Sequence, residues 1–383
     1  MNNKIIWFLS GNPDIVASSR IHGRIVHEKL VELGYQSYLA YTPIHIQDYI
    51  PFTERLKKYL DNFLISGDII IIQKIKEVTN VDFYKYLNTR NIKIYFVDCD
   101  LPVISPEYAA HFNKIITTSS SLKAKYLEYV NSVEYIIDSP EIYKDKDFKE
   151  PINTPLQAVW FGNSIGSKWL DVIRLKEIIV KNKLDKWEFI TISNHPDADY
   201  QWSKTSLQLI SKADAILIPI FTITEENKVK SSNRVLQSMA LDVPVLCSSI
   251  ESYEEVIDNY KNGIIVYNDI DWIKGLRFLE DIENRKTFIK NGKETALKYS
   301  MNLIIDEWIT ILNLDNKFEY NDSKKLKQNT TELNSIYYYE LFKTNHAYSR
   351  FFMKNSRFSN GLKFKVISLK YFYSLLRYLK LSN

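Results

Sequence analysis

With 383 residues, the chain is long enough for two ordinary domains and an appendage. Its 45% hydrophobic and 25% charged residues are those of a globular protein with substantial cores, which excludes collagenous and low-complexity classes. The net charge of +4 hides an imbalance: residues 341–383 carry nine Lys or Arg and no acid, leaving 41 basic and 46 acidic residues in the rest.

In chain order, Lys4–Leu9 reads as a strand, Arg20–Leu33 as a helix closed by Gly34, and Ser37–Tyr41 as a second strand. The runs Asp68–Ile72, Ile92–Val97, Lys114–Thr117 and Val133–Ile137 read as further strands, separated by helical stretches such as Val81–Leu87 and Ser121–Tyr129. Short apolar strands spaced by helices point to a parallel sheet covered on both faces. The polar stretch Pro140–Pro155 reads as a linker. The alternation then restarts, with strands at Ala158–Phe161, Trp187–Ile192, Ala215–Pro219, Val245–Cys247 and Ile264–Tyr267 and helices between and after them. The expected architecture is α/β: two successive doubly wound units (1–152 and 153–314) facing a cleft, followed by a basic helical extension at 315–383.

Cys99 and Cys247 fall in separate strand-like runs, which argues against a disulfide framework and fits a reducing compartment. The brief apolar run Ile5–Leu9 is broken by Gly11, Asn12 and Pro13, so it reads as a strand and not a signal peptide. No run approaches the roughly 20 apolar residues of a spanning helix. A cytoplasmic location is expected. The six histidines show no metal-ligand spacing, so no metal is expected.

The stretch Lys230–Val245, KSSNRVLQSMALDVPV, carries the strongest chemical signal. It follows a buried-strand pattern, opens a helix behind Ser231 or Ser232 as cap, and ends on the next strand. A helix beginning beyond a strand's carboxyl end points N–H groups and a positive dipole end into the crevice. Lys230 and Arg234 add full charges there, and Asn233, Arg234 and Gln237 are expected toward the mouth. The set suits a diphosphate; the blander alternative pairs Arg234 with Glu225 or Glu226. The turn Val159–Trp169 adds Gly162, Asn163, Gly166 and Lys168 at the same sheet edge, a weak signal by itself. In the first unit, Ser18 and Ser19 are expected to cap the helix, and Arg20 either grips a phosphate or an acidic acceptor or lies solvated. Asp98 and Asp100 follow a strand, where they suit a base, an orienter of acceptor hydroxyls, a cation ligand, or turn caps.

In the tail, Leu362, Val366, Leu369, Phe372, Leu376 and Leu379 form an apolar stripe flanked by Lys363, Lys365, Lys370, Arg377 and Lys380. A cationic amphipathic helix fits an anionic inner-membrane surface, with docking on the protein's own body or on a partner as the alternative. No nucleic-acid motif is present.

The segment KSSNRVLQSMALDVPVLCSSIESYEEVI followed by NGIIV resembles the donor-site region of bacterial GT-B glycosyltransferases of the group 1, surface-polysaccharide type. The likeness extends to WSKTSLQLISKADAILIPI and IWFLSGNPDIVASSRIHGR and covers roughly residues 1–314. It implies two Rossmann-like domains, a last helix around Trp308 crossing back onto the first, and no cofactor beyond a nucleoside-diphosphate sugar as co-substrate. It places Asn163, Lys168, Lys230 and Arg234 near the donor diphosphate, with the helix start at Ser232 and Asn233. Gln237 stands where the family has a glutamate on the ribose, no acid stands near Val229 for the first of the paired glutamates, and Asp242 replaces a glycine. The implied reaction is glycosyl transfer to a hydroxyl of a lipid-linked cell-surface glycan such as lipopolysaccharide or capsule, with Asp98, Asp100 and Arg20 on the acceptor side. The enzyme would sit peripherally on the inner face of the cytoplasmic membrane. A catalytically silent scaffold of the same fold, or a sugar-nucleotide epimerase, are the alternatives.

Overall fold

The structure is a computed structural model that describes residues 3–41, 52, 54–76, 80–100, 104–141, 154–164, 168–203 and 205–314. The tail from 315 onward, with its five candidate membrane-contact residues, and Gly166 lie outside the described residues.

Twelve strands form two six-stranded sheets of parallel strands. The first contains β1 (Ile5–Leu9), β2 (Ser37–Tyr41), β3 (Ile69–Gln73), β4 (Lys93–Asp98), β5 (Lys114–Thr117) and β6 (Val133–Tyr135), in the order β2-β1-β3-β4-β5-β6. The second contains β7 (Leu156–Gly162), β8 (Trp187–Ser193), β9 (Tyr200–Gln201), β10 (Ala215–Ile218), β11 (Val245–Ser248) and β12 (Ile264–Val266), in the order β12-β11-β10-β7-β8-β9. Strands such as IIWFL of β1 and IIIIQ of β3 are buried along their whole length. Helices cover both faces, so a strand here reads as a continuous apolar run and not as an alternation.

The expected elements appear within a few residues of their predicted bounds, and short ones that the sequence reading did not give, Pro106–Ala109, Tyr200–Gln201 and Glu225–Lys228, are added. The helix after β1 starts at Ala17 and passes through a π-helical turn, Arg20–Arg24, before continuing as Ile25–Glu32. Val16, not a serine, holds its cap position. Ser19 is buried instead, taking the Gly11 N–H at 3.1 Å and donating to Gln73 Oε1 at 3.1 Å. A helix at Glu54–Phe63, unforeseen in the sequence, buries Leu56 and Leu60 against the first sheet.

Contacts at several points join the two halves, among them the hydroxyls of Ser120 and Ser121 beside Glu255 and Glu251. Helix Met301–Leu312 leaves the second half and packs Ile304, Ile305, Trp308 and Leu312 into the core formed by Ile5, Trp7, Leu9, Val26 and Leu30. Val229, in the loop after β10, is buried in the other first-domain core, and its carbonyl accepts the Ser119 hydroxyl at 2.7 Å. The crossing segment is held from both sides, as described below. In each sheet the strand order reverses beside a central strand, between β1 and β3 and between β7 and β10. Ligands in such sheets bind outside the strands' carboxyl ends at these switch points.

Candidate active site

The second sheet's switch point carries a cluster of three cations, Lys168, Lys230 and Arg234. Gly162 ends β7 with φ +154°, an angle that side-chain-bearing residues rarely adopt, and the Arg234 guanidinium lies alongside it, Nη1 3.4 Å from where a Cβ would stand. Arg234 reaches only the Tyr253 hydroxyl, at 3.4 Å, and no carboxylate lies within salt-bridge distance of it among the described residues. Glu225 instead meets Lys125 at 3.4 Å and Lys228 at 2.7 Å, and Glu226 stands 3.9 Å from Lys168. Pairing of Arg234 with either acid is therefore not what the fold forms. Lys230 is partly buried, with Asn227 Oδ1 beside its ammonium. Burial, then the charges of Arg234 and Lys168, lower its pKa to about 8. Asp171, in the first turn of helix Lys168–Lys181, accepts the Phe221 N–H at 3.2 Å. Burial pushes its carboxyl upward, against that hydrogen bond and the charges of Lys230, Arg174 and Arg234. Asn163 is exposed in the turn beyond Gly162, and Ser164 ties that turn to Asn194 Oδ1 through its N–H at 3.0 Å and its hydroxyl at 3.1 Å.

Helix Asn233–Ala240 starts where the sequence placed it. Ser232 holds the cap position with ψ 7°, not the extended angle a capping serine adopts, and makes no side-chain cap bond. The helix N–H groups thus lack the expected side-chain cap. The Asn233 side-chain amide nitrogen is buried without a partner.

Two parallel six-stranded sheets, with a last helix returning from the second half to the first, match solved structures. A glycosyltransferase from Rickettsia africae ESF-5 matches with a TM-score of 0.60 at 14% identity, over 82% of this chain and 98% of that one. HepE (Alr3699) of Anabaena, solved in complex with UDP and glucose, matches at 0.57 and 12% identity over 82% of this chain and 100% of that one. TarM matches at 0.53 and 16% identity over 67% of this chain, which spans only 57% of TarM's length. This is the GT-B fold. No sequence-family model matches the chain, and no curated protein matches it in sequence.

Within the GT-B cleft, three residues expected at the chemistry are engaged elsewhere. Asp98 is fully buried at the end of β4. It accepts the Tyr126 hydroxyl at 2.6 Å, Lys76 Nζ at 2.8 Å and the Cys99 N–H at 2.9 Å, so it braces the sheet edge and does not meet an acceptor. Arg20 binds Glu141 Oε1 through Nε at 2.9 Å and Nη2 at 2.8 Å, and the Pro13 carbonyl at 3.1 Å, so its charge is already met by a carboxylate. Gln237 is 4% exposed, and its amide is used on the Glu141 backbone: Oε1 accepts the N–H at 2.9 Å and Nε2 donates to the carbonyl at 3.1 Å. A ribose hydroxyl would have to displace those bonds. Glu141 is thus clasped by one residue from each domain, and His22 holds Asp138 three residues earlier. Burial works against the His22 proton, but Asp138 raises its pKa to about 10, so His22 is protonated at neutral pH.

The first sheet's switch point holds residues the sequence did not single out. Lys74, directly after β3, has φ +58°, which costs a residue with a Cβ about 1–3 kcal/mol. Its ammonium pairs with Asp100 and lies 3.4 Å from the Ser18 hydroxyl. Lys76 donates to the Asp100 carbonyl at 3.0 Å. Only the alternation of Lys74 and Lys76 after an apolar strand hinted at this. No group of three or more His, Cys, Asp or Glu side chains placed to hold a metal occurs among the described residues.

Lys230 makes anion binding pH-dependent. A bound diphosphate favours the ammonium, so the Lys230 pKa rises from about 8 on binding and a proton is taken up. Titration calorimetry with UDP from about pH 7 to about pH 9 should show affinity constant at the low end and falling as pH rises, by roughly tenfold in all, with proton uptake near pH 8. A Lys230→Met variant should lose the dependence.

Proposed function

We propose that the chain is a glycosyltransferase that moves a sugar from a nucleoside-diphosphate sugar to a hydroxyl of a glycan acceptor. The observation that carries this is the meeting of Lys168, Lys230 and Arg234 at the second sheet's switch point, with Arg234 lacking a counterion and Lys230 held below its usual pKa. Departure of the diphosphate develops negative charge, and fixed cations beside a helix start stabilise it in a site shielded from water. Solved proteins of the same fold include a glycosyltransferase and HepE bound to UDP and glucose. A lipid-linked, cell-surface glycan is our reading of the acceptor, matched to a basic tail suited to an anionic membrane at the inner face of the cell. Among the described residues, no helix is long and apolar enough to cross a membrane.

Thermal-shift measurements with UDP, GDP and CDP, then mass spectrometry of the matching sugar nucleotides with and without acceptor, test the reading. Stabilisation by one nucleotide and consumption of its sugar form are expected; no stabilisation by any of them would refute donor binding. The engagement of Gln237 with Glu141 favours a second reading, a catalytically silent GT-B scaffold. A folded chain that no nucleotide stabilises would select it. Deletion of residues 341–383 is expected to abolish sedimentation with phosphatidylglycerol vesicles while leaving the nucleotide shift intact. Equal vesicle binding by the truncated chain would remove the membrane role.

A further inference from the structure

We propose that the second domain carries a separate saccharide-binding site, a recess beside Tyr267 that holds a neutral sugar unit of a glycan on the side of the sheet away from helix Asn233–Ala240. This goes beyond the donor reading above, and sugar binding there needs no nucleotide.

Location sets the recess apart from the diphosphate cluster. Its volume is about 690 Å³, and it opens past the carboxyl ends of β10, β11 and β12, between helix Lys168–Lys181 and helix Asp269–Phe278. Those two helices cover one face of the second sheet, where Leu175, Trp272 and Leu276 pack on Ala158, Leu217 and Leu246. Helix Asn233–Ala240 covers the other, with Val235 and Leu236 against Val159, Ile216 and Val245. Lys168, Lys230 and Arg234 stand outside the lining. Ile223 and Ser249 line both this recess and a smaller one of about 270 Å³, which reaches Ser121 and Lys125 on the first domain's helix Ser120–Leu127. A glycan chain leaving the groove between the domains can therefore run onto the recess.

The lining matches the two-sided character of a sugar, whose ring has apolar C–H faces and hydroxylated edges. Tyr267 directly follows β12 and is 67% exposed, and its N–H is tied to Asp271 Oδ2 at 3.1 Å. An aromatic ring on a fixed backbone offers flat apolar area at low entropic cost. Ile270 and Ile223 are exposed at the same recess, and Trp272, 1% exposed, lies beneath them. Large apolar side chains exposed singly need no explanation, whereas three around one recess of ligand size do.

Charge narrows the ligand further. Arg174 lies over the Phe221 ring at 4.2 Å, and its Nη2 donates to Asp269 Oδ1 at 3.0 Å and Oδ2 at 3.2 Å. The pair is half-exposed and sums to zero, so the rim favours a neutral ligand over a phosphate. Each sugar hydroxyl offers one proton and two lone pairs, and adjacent hydroxyls are matched by a carboxylate that only accepts beside a guanidinium that only donates. An acyl chain laid over the same rim would leave both groups without partners.

Saturation-transfer NMR on the full chain without nucleotide, using maltotetraose, cellotetraose and chitotetraose as probes, tests the site. The wild type should give signal from at least one of them. Tyr267→Ala should weaken that binding by about tenfold, and Tyr267→Phe, which keeps the ring, should retain most of it. The double variant Arg174→Ala, Asp269→Ala, which removes the pair without stranding a charge, should weaken it as well. The UDP thermal shift should be the same in all of these as in wild type, because none of the three residues touches the cation cluster. Full binding by Tyr267→Ala, or no signal from any of the three probes on wild type, would overturn the site. Binding that depends on Tyr267 in a chain that UDP fails to stabilise would remove the donor reading and leave the recess standing.

Discussion

Arg234→Ala is expected to lower the transfer rate by roughly 10²–10³-fold, about 3–4 kcal/mol, the loss found when one fixed donor to a developing anion is removed. UDP affinity should fall less, by about 1.5–3 kcal/mol, because the ground-state diphosphate is less demanding than the departing one. The fold should survive. Among the described residues the Arg234 side chain makes only a 3.4 Å bond to Tyr253, and it depresses the Lys230 pKa, so its removal also relieves repulsion between like charges. The Lys230 pKa should rise in the variant, moving the pH dependence of UDP binding upward. Steady-state kinetics, UDP calorimetry and thermal melting on one preparation check all three. Unchanged turnover would take Arg234 out of the mechanism.

Trp308→Ala carries the largest expected cost in stability, about 3–5 kcal/mol. The indole is 3% exposed and its ring centroid lies 5.8 Å from that of Trp7, which is itself held by a 2.9 Å bond from its Nε1 to the Ser37 hydroxyl. The cavity cannot close easily, because Ile304, Ile305 and Leu312 are fixed on the same helix. The loss compares with a total stability of about 5–15 kcal/mol, and it falls on a contact that joins the two halves. Denaturant unfolding should therefore show an earlier midpoint, with the helix Met301–Leu312 becoming protease-sensitive before either sheet. A change below about 1 kcal/mol would mean that the helix contributes little to holding the halves together.

The sheets were legible because both are buried on two faces, so strands such as Ile69–Gln73 and Ala215–Ile218 stand out as unbroken apolar runs between helices. The helix Asn233–Ala240 was legible because its buried face Val235, Leu236 and Met239 has helical spacing. Partners far apart in sequence were not. Arg20 and Gln237 looked free because their common partner, Glu141, stands in the polar linker, 121 residues from one and 96 from the other. Asp98 and Asp100 are two residues apart, and only the Tyr126 hydroxyl and Lys76 decide that the first is buried while the second stays half-exposed beside Lys74. Lys74 was overlooked because its significance lies in a backbone angle and in the neighbouring strand that fixes it. The helix Glu54–Phe63 did carry a signal, with Leu56, Tyr59, Leu60 and Phe63 at helical spacing.

A crystal structure of the full chain grown with UDP tests the central claim most directly. The account predicts the diphosphate beyond the end of β7, within hydrogen-bonding distance of the Lys230 ammonium and the Arg234 guanidinium and capped by the N-terminus of helix Asn233–Ala240. UDP seated away from those two side chains, or no nucleotide in the cleft at saturating concentration, would contradict it.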